Sequence, residues 1–376
     1  MTTPLLFQPL RLRGVELPNR VVISPMCQYS ATDGMANDWH FAHLARFALG
    51  GAGIVFTEAT AVQREGRITH GDLGIWSDAH VEPLRRIAAF LKSQGSVPAM
   101  QLGHAGRKAS MQRPWHGNGP LDSADHDRGE RPWTVLAPSA IAMDEGWLVP
   151  QEMRLEDIEE LRHSFREAAR RALEAGFEVI ELHGAHGYLL HEFLSPLSNT
   201  RSDAYGGSFD NRVRLALELA ADLRAAWPAD KPLFFRVSSV DGVEGGWTIE
   251  DTVVLARRLK SLGVDVMDCS SGGLLGSATA ARVKRFPGFQ VPYAAQVRRE
   301  AAMPAMAVGL ILDGRQAETV LAAGEADLIA VGREALNDPN WALHAREALD
   351  ADPEYTAWPV QTGWWLDKRC KSLAKP

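Results

Sequence analysis

Eight times along this chain an apolar, β-rich run is followed by a polar turn and then by a stretch with helical hydrophobic spacing. The runs are residues 21–26, 53–62, 97–102, 177–182, 233–237, 264–269, 304–309 and 327–332. The helical stretches are 38–49, 78–93, 155–175, 208–227, 248–262, 293–300, 314–323 and 337–349. Strands joined by crossover helices must run parallel, and a parallel sheet needs both faces covered. Gly95, Gly176, Gly263 and Gly324 stand just past four of the helical stretches, where a chain leaves a helix most readily. Eight alternations predict an α/β fold, a closed (β/α)8 TIM barrel, in a single domain over residues 1–376. An open doubly wound sheet fits less well, since no G-x-G-x-x-G follows the first run.

Two intervals break the rhythm. Residues 103–154 show little periodicity and are rich in Gly, Pro, His, Asp and Trp. Because they follow the third strand they must emerge at the barrel's C-terminal mouth, so a flap over the active site is expected. The tail, residues 350–376, carries Trp358, Trp364 and Trp365, too much aromatic surface to hang free. A net charge of −7 without a basic stripe argues against a nucleic-acid partner. Three cysteines without CxxC spacing read as reduced thiols. With no signal-peptide pattern and no apolar run of spanning length, a cytoplasmic protein that does not enter the membrane is expected.

Strand ends are where barrel enzymes keep their chemistry. The fourth run ends in His183-Gly184-Ala185-His186-Gly187-Tyr188, two imidazoles and a phenol that can hold an oxygen anion and supply a proton. A zinc pair, as in a barrel hydrolase, is the alternative for His183 and His186, but no nearby carboxylate or cysteine completes it, and no metal is expected. Cys27 and Tyr29 follow the first run, Gln101 ends the third and Arg236 ends the fifth. A charged Arg236 inside Leu233-Phe234-Phe235-Arg236-Val237 requires a ligand or a carboxylate beside it. Gly309 and Gly332-Arg333 close the seventh and eighth runs, the usual barrel site for a phosphate, which Arg333 can grip as a fork. A phosphosugar, pyridoxal phosphate or flavin mononucleotide would each suit, although no strand-end lysine offers a Schiff base for pyridoxal phosphate.

Several ordered motifs, Val22-Ile23-Ser24-Pro25-Met26-Cys27, Gly66-Arg67-Ile68, 102–108, 181–188, Leu194-Ser195-Pro196 with Asn199, 203–208 and 331–334, resemble the Old Yellow Enzyme flavoproteins over nearly the whole chain. The likeness is to the ene-reductase branch that includes xenobiotic reductase A. It implies non-covalent FMN with NADPH or NADH as electron donor and reduction of the activated C=C bonds of small α,β-unsaturated carbonyls, imides or nitroalkenes, with nitro or nitrate-ester reduction at the same site as the alternative. Ser24, Pro25, Met26 and Cys27 would line the flavin, Ala59 and Gln101 would lie near its ring, Arg236 at its N1/O2 end, and Gly309, Gly332 and Arg333 at its phosphate. His183 and His186 would hold the substrate's oxygen, Tyr188 would donate the proton, Tyr29 would contact the substrate, and Cys27 would tune the flavin. The resemblance also implies a homodimer or dimer of dimers, with Trp364 or Trp365 crossing to the other subunit's site. Val308 stands where xenobiotic reductase A has a tryptophan, and Gln361-Thr362-Gly363-Trp364-Trp365 replaces the tyrosine or arginine of some relatives' tails.

Overall fold

In the computed structural model, which describes residues 3–276 and 283–373, the eight runs are eight parallel strands closed into a barrel in chain order. They are β1 (Val21–Ile23), β2 (Ile54–Ala61), β3 (Val97–Gly103), β4 (Val179–Gly184), β5 (Leu233–Ser238), β6 (Val266–Ser270), β7 (Ala305–Ala307) and β8 (Leu328–Val331). The ring closes where Ile329 of β8 pairs with Val21 of β1. The principal outer helices are α1 (Asp38–Leu49), α2 (Val81–Ser93), α3 (Leu155–Glu174), α4 (Arg214–Ala226), α5 (Ile249–Ser261), α6 (Val291–Ala301), α7 (Gly314–Ala322) and α8 (Trp341–Ala348).

Successive side chains of a strand point to opposite faces, so each strand feeds two cores. The outer core lies between strands and helices and includes Phe47, Leu84, Phe165, Leu219 and Leu259. The inner one fills the barrel with Val22, Ile54, Phe56, Phe234, Val266 and Met306, and an N-terminal antiparallel hairpin, Leu10–Leu12 with Val15–Leu17, adds Leu12 and Leu17 to it. The hairpin strands are three residues each, too short to show a period in sequence. With one end sealed in this way, a ligand must enter from the C-terminal mouth.

Apart from shifts of one or two residues and a 3-10 turn, Asp78–His80, that leads into α2, three boundaries differ from expectation. The first run leaves the sheet after Ile23, so Ser24 to Cys27 form an arch over the mouth rather than a strand end. The stretch 208–227 divides at Val213 into Phe209–Arg212 and α4. The stretch 337–349 begins late, because Pro339 holds the preceding Asp338 in an extended conformation, φ −133° and ψ 96°; a separate turn, Arg333–Asn337, precedes α8. Residues 103–154 pack rather than dangle: Ala105, Ala109, Met111 and Val135 form an apolar cluster with Ile68, against which Cys27, Tyr29 and Tyr188 lie. The tail folds as a helix, Val360–Leu373, of which Gly363 alone is buried. Trp364 and Trp365 are 54% and 67% exposed, so the expectation that this aromatic surface is covered is not met within one chain.

Candidate active site

At the C-terminal mouth the strand ends enclose a cavity of about 450 Å³, within the range of cofactor pockets. Ser24, Pro25 and Met26 border it after β1, Arg236 from β5, Gly309 after β7, and Gly332 and Arg333 after β8, with His186 and Tyr188 at the rim. A small adjoining crevice is lined by Ala59, His183 and the other side of Tyr188. Cys27 and Tyr29 pack on the same apolar cluster as Tyr188 without lining the main cavity. Gln101 lies below and donates from Nε2 to Glu181 Oε1 at 2.8 Å. Trp364 and Trp365 line neither space.

The loop after β4 is folded tightly enough to aim three functional rings. His186 has a left-handed φ of 61°, and its amide donates to Ser238 Oγ at 2.9 Å. Gly187 follows at φ 72°, where a Cβ would stand 2.3 Å from the Gly273 carbonyl oxygen, so no other residue fits. Gly187 N–H donates to His191 Nδ1 at 2.8 Å, which places the ring proton on Nε2, 2.7 Å from Asp241 Oδ1. Ser195 Oγ and the Trp247 amide also donate to Asp241, at 2.6 and 2.7 Å. Lys108 Nζ donates to the His186 carbonyl at 2.8 Å and to that of Gly273. Held from both sides, His183 meets His186 and Tyr188 edge-on, with centroids 5.3 and 5.0 Å apart.

Burial sets the charge state of these groups. His183 and His186 are driven well below the ordinary imidazole value, first by desolvation and then by the Arg236 cation, so both are neutral. Burial likewise carries the Tyr188 phenol well above its usual value, and the neighbouring Cys27 adds to the shift. Tyr188 is therefore a protonated phenol throughout the working pH range. Cys27 is a thiol rather than a thiolate, because burial, Glu58 and Asp72 all oppose its ionisation. A register shift in β2 between Phe56 and Ala59 turns Glu58 toward the arch. There Glu58 Oε2 accepts the Gln28 amide at 2.9 Å, and His40 Nε2 lies 3.3 Å from Oε1. Bulges beside active sites commonly redirect side chains in this way.

The opposite end of the cavity suits a phosphate. Gly309, which lines the cavity, has φ 111°, and a Cβ there would come within 2.8 Å of Gln290 Nε2, so only glycine fits. Ser24 Oγ is buried with no hydrogen-bond partner among the described residues, an orphan hydroxyl that a bound cofactor would satisfy. Arg236 Nε lies 3.0 Å from Asp268 Oδ2, the carboxylate its position required, while the residue still borders the cavity. A cavity of this volume whose lining brings together Arg236, the Ser24 hydroxyl, Gly309, Gly332 and Arg333 fits FMN. The two imidazoles gain no third ligand among the described residues. Those with three metal-type donors close together are His116, Asp125 and Glu130 in the flap, where Arg128 and Arg113 already pair with the carboxylates.

The structure adds residues that sequence reasoning did not select. Ser270, Ser271, Gly272 and Gly273 line the cavity after β6, and Gln290 braces them, accepting from Ser271 Oγ at 2.8 Å. Their signal was present as a Ser-Ser-Gly-Gly turn at a strand end. Glu181 and Asp268 gave less signal, each being one acid within an apolar run.

A sequence profile of the NADH:flavin oxidoreductase / NADH oxidase family matches residues 5–352. An NADPH dehydrogenase of Geobacillus sp. (strain WCH70) is 46% identical over 347 residues, which is 92% of this chain and 94% of the relative. One from Bacillus subtilis (strain 168) is 45% identical over 349 residues, 92% of this chain and 96% of the relative. Among solved structures, the old yellow enzyme homologue from Zymomonas mobilis superposes with a TM-score of 0.73 at 26% identity, covering 93% of each chain. Among the described residues no helix is long and apolar enough to cross a membrane. With the barrel, its cofactor-shaped mouth and these relatives in agreement, the chain belongs to the NADH:flavin oxidoreductase / NADH oxidase family, the Old Yellow Enzyme flavoproteins, and is an FMN oxidoreductase.

Proposed function

We propose that the protein reduces the activated C=C bond of α,β-unsaturated carbonyls, imides and nitroalkenes, drawing electrons from NADPH or NADH through FMN. Bound FMN supplies the two-electron chemistry. The chain's own groups do the rest. His183 and His186, both neutral, offer N–H donors to the substrate's carbonyl or nitro oxygen and stabilise the charge that grows there as Cβ is reduced. Tyr188 borders both spaces of the mouth and delivers its proton to Cα. Tyr29 and the flap cluster beside it shield that transfer from water. The observation that carries this reading is the meeting of a protonated phenol and two neutral imidazoles at one rim of a cavity built for FMN. NADPH as donor is supported by the relatives named NADPH dehydrogenase.

The test is an anaerobic two-step experiment. NADPH should bleach the flavin bands, and an enone, a maleimide or a nitroalkene should then restore them, with NMR showing a saturated C=C bond and an untouched carbonyl or nitro group. Restoration by nitro compounds with the alkene intact would instead make the protein a nitroreductase. Restoration by oxygen alone would leave it an NADPH oxidase without this substrate class.

A further inference from the structure

Where Arg236 borders the cavity, the strand on each side of it carries a carboxyl group with no access to water. Asp268, opposite it in register on β6, and Glu181, on the other neighbouring strand β4, are each 0% exposed. Gln101 satisfies Glu181 Oε1, but Glu181 Oε2 and both oxygens of Asp268 accept no hydrogen bond from the described residues, since Arg236 Nε is near Asp268 without being aligned to it. Two buried carboxylates against one guanidinium would leave a net negative charge in a dry interior, which desolvation penalises heavily. One proton removes that charge. Like-charge pairs in enzymes resolve in this way, one group keeping its proton because its neighbour is ionised.

We propose that Glu181 and Asp268 hold one proton between them and act as the charge reservoir of the flavin site, retaining or taking up that proton when two electrons place negative charge on the ring above Arg236. This role rests on FMN lying with its N1/O2 edge over Arg236. Hydride from NADPH would bring both electrons and one hydrogen to bound FMN and leave one added negative charge; the pair takes up its single proton from solvent in response and returns it on reoxidation. Burial, and then Asp268, raise Glu181 to about 8, and burial raises Asp268 against the pull of Arg236. Added negative charge strengthens the pair's hold on its proton, so the extra uptake on reduction appears above about pH 8, where the oxidised site has released it. Below that the pair is already protonated. The other groups acting on this layer are Arg236 and the Cys269 thiol, which burial and Asp268 keep protonated; the neutral His183 and His186 stand farther up, and Lys108 is engaged with the carbonyls of His186 and Gly273.

The experiment counts protons rather than turnover. FMN-loaded protein is photoreduced anaerobically in weak buffer with a pH indicator, from roughly pH 6 to roughly pH 10. Wild type should take up more protons per flavin above about pH 8 than below it. Glu181→Gln, which keeps the partner of Gln101, and Asp268→Asn should each abolish that rise, whereas Lys108→Met should keep it and so separate the pair from the lysine. A wild-type count that stays level through pH 8, or a rise that survives both carboxyl variants, overturns the proposal, and the first outcome does not depend on any variant folding. A chain that takes up no FMN would refute the cofactor placement instead, which the absorption spectrum reports separately.

Discussion

Tyr188 and the two histidines near it divide the labour of one transition state, and their replacement should separate the two halves of the reaction. Tyr188→Phe removes the proton and little else, since the ring still packs against the apolar cluster of the flap. Flavin reduction by NADPH should stay near wild type while reoxidation by an enone falls roughly 10²- to 10⁴-fold, the usual worth of a general acid. Stopped-flow traces in which both phases are unchanged would remove Tyr188 from the role. The histidines act earlier, in holding the oxygen, so His183→Asn with His186→Asn should weaken enone binding as well as turnover. The same pair has a stability signature. Their folded-state values lie far below the 6.5 of the unfolded chain, so the unfolded state binds protons that the folded state refuses, and stability is lost as pH falls below 6.5. Each imidazole adds about 1.4 kcal/mol per pH unit to that slope. Urea titrations of the double variant should therefore show a shallower acid decline; an unaltered slope would mean that the imidazoles are charged in the folded protein.

At the scale of elements, the loop after β4 is the part whose geometry the chemistry needs most. Gly187→Ala places a methyl 2.3 Å from the Gly273 carbonyl oxygen and keeps φ at 72°, so the loop has to shift. A loss of roughly 1–3 kcal/mol in unfolding free energy is expected, together with a slower enone step, because His186 and Tyr188 flank the substitution. A variant with wild-type stability and kinetics would show that the loop is not held by this contact. Most of the barrel was legible in the sequence because alternating strand and helix periods are local signals, and His183, Gly309 and Arg333 stood out by their place at strand ends. What was hidden arises from pairing across the chain. The hairpin beneath the barrel is too short to show a period, the β2 bulge that aims Glu58 is a matter of register, and Glu181 and Asp268 acquire meaning only when the barrel closes around Arg236. Arg236 itself was readable, since a guanidinium in an apolar strand demands a partner, yet the partner's identity was not.

The whole molecule leaves one element unexplained by its own chain. The helix Val360–Leu373 buries Gly363 and leaves Val360 74%, Trp364 54%, Trp365 67% and Leu373 69% exposed, whereas every principal barrel helix hides an apolar face. A helix of this length is marginal in water without packing, and exposed tryptophans of this size mark contact surfaces more often than free ends. We propose a second copy of the chain as its cover. On that arrangement a homodimer, or a dimer of dimers, would set Trp364 or Trp365 at the rim of the neighbouring cavity, joining assembly to substrate binding although neither ring reaches its own. Deleting residues 361–376 should then weaken the dimer and raise the KM for an enone together, since buried aromatics carry much of an interface's energy. Flavin content should be unaffected, because no residue of the helix lines the cavity. Light scattering and steady-state kinetics on the truncated protein decide the matter: loss of dimer with unchanged KM would assign the helix to assembly alone, and a dimer that persists with wild-type kinetics would show that the tail neither bridges subunits nor borders a site.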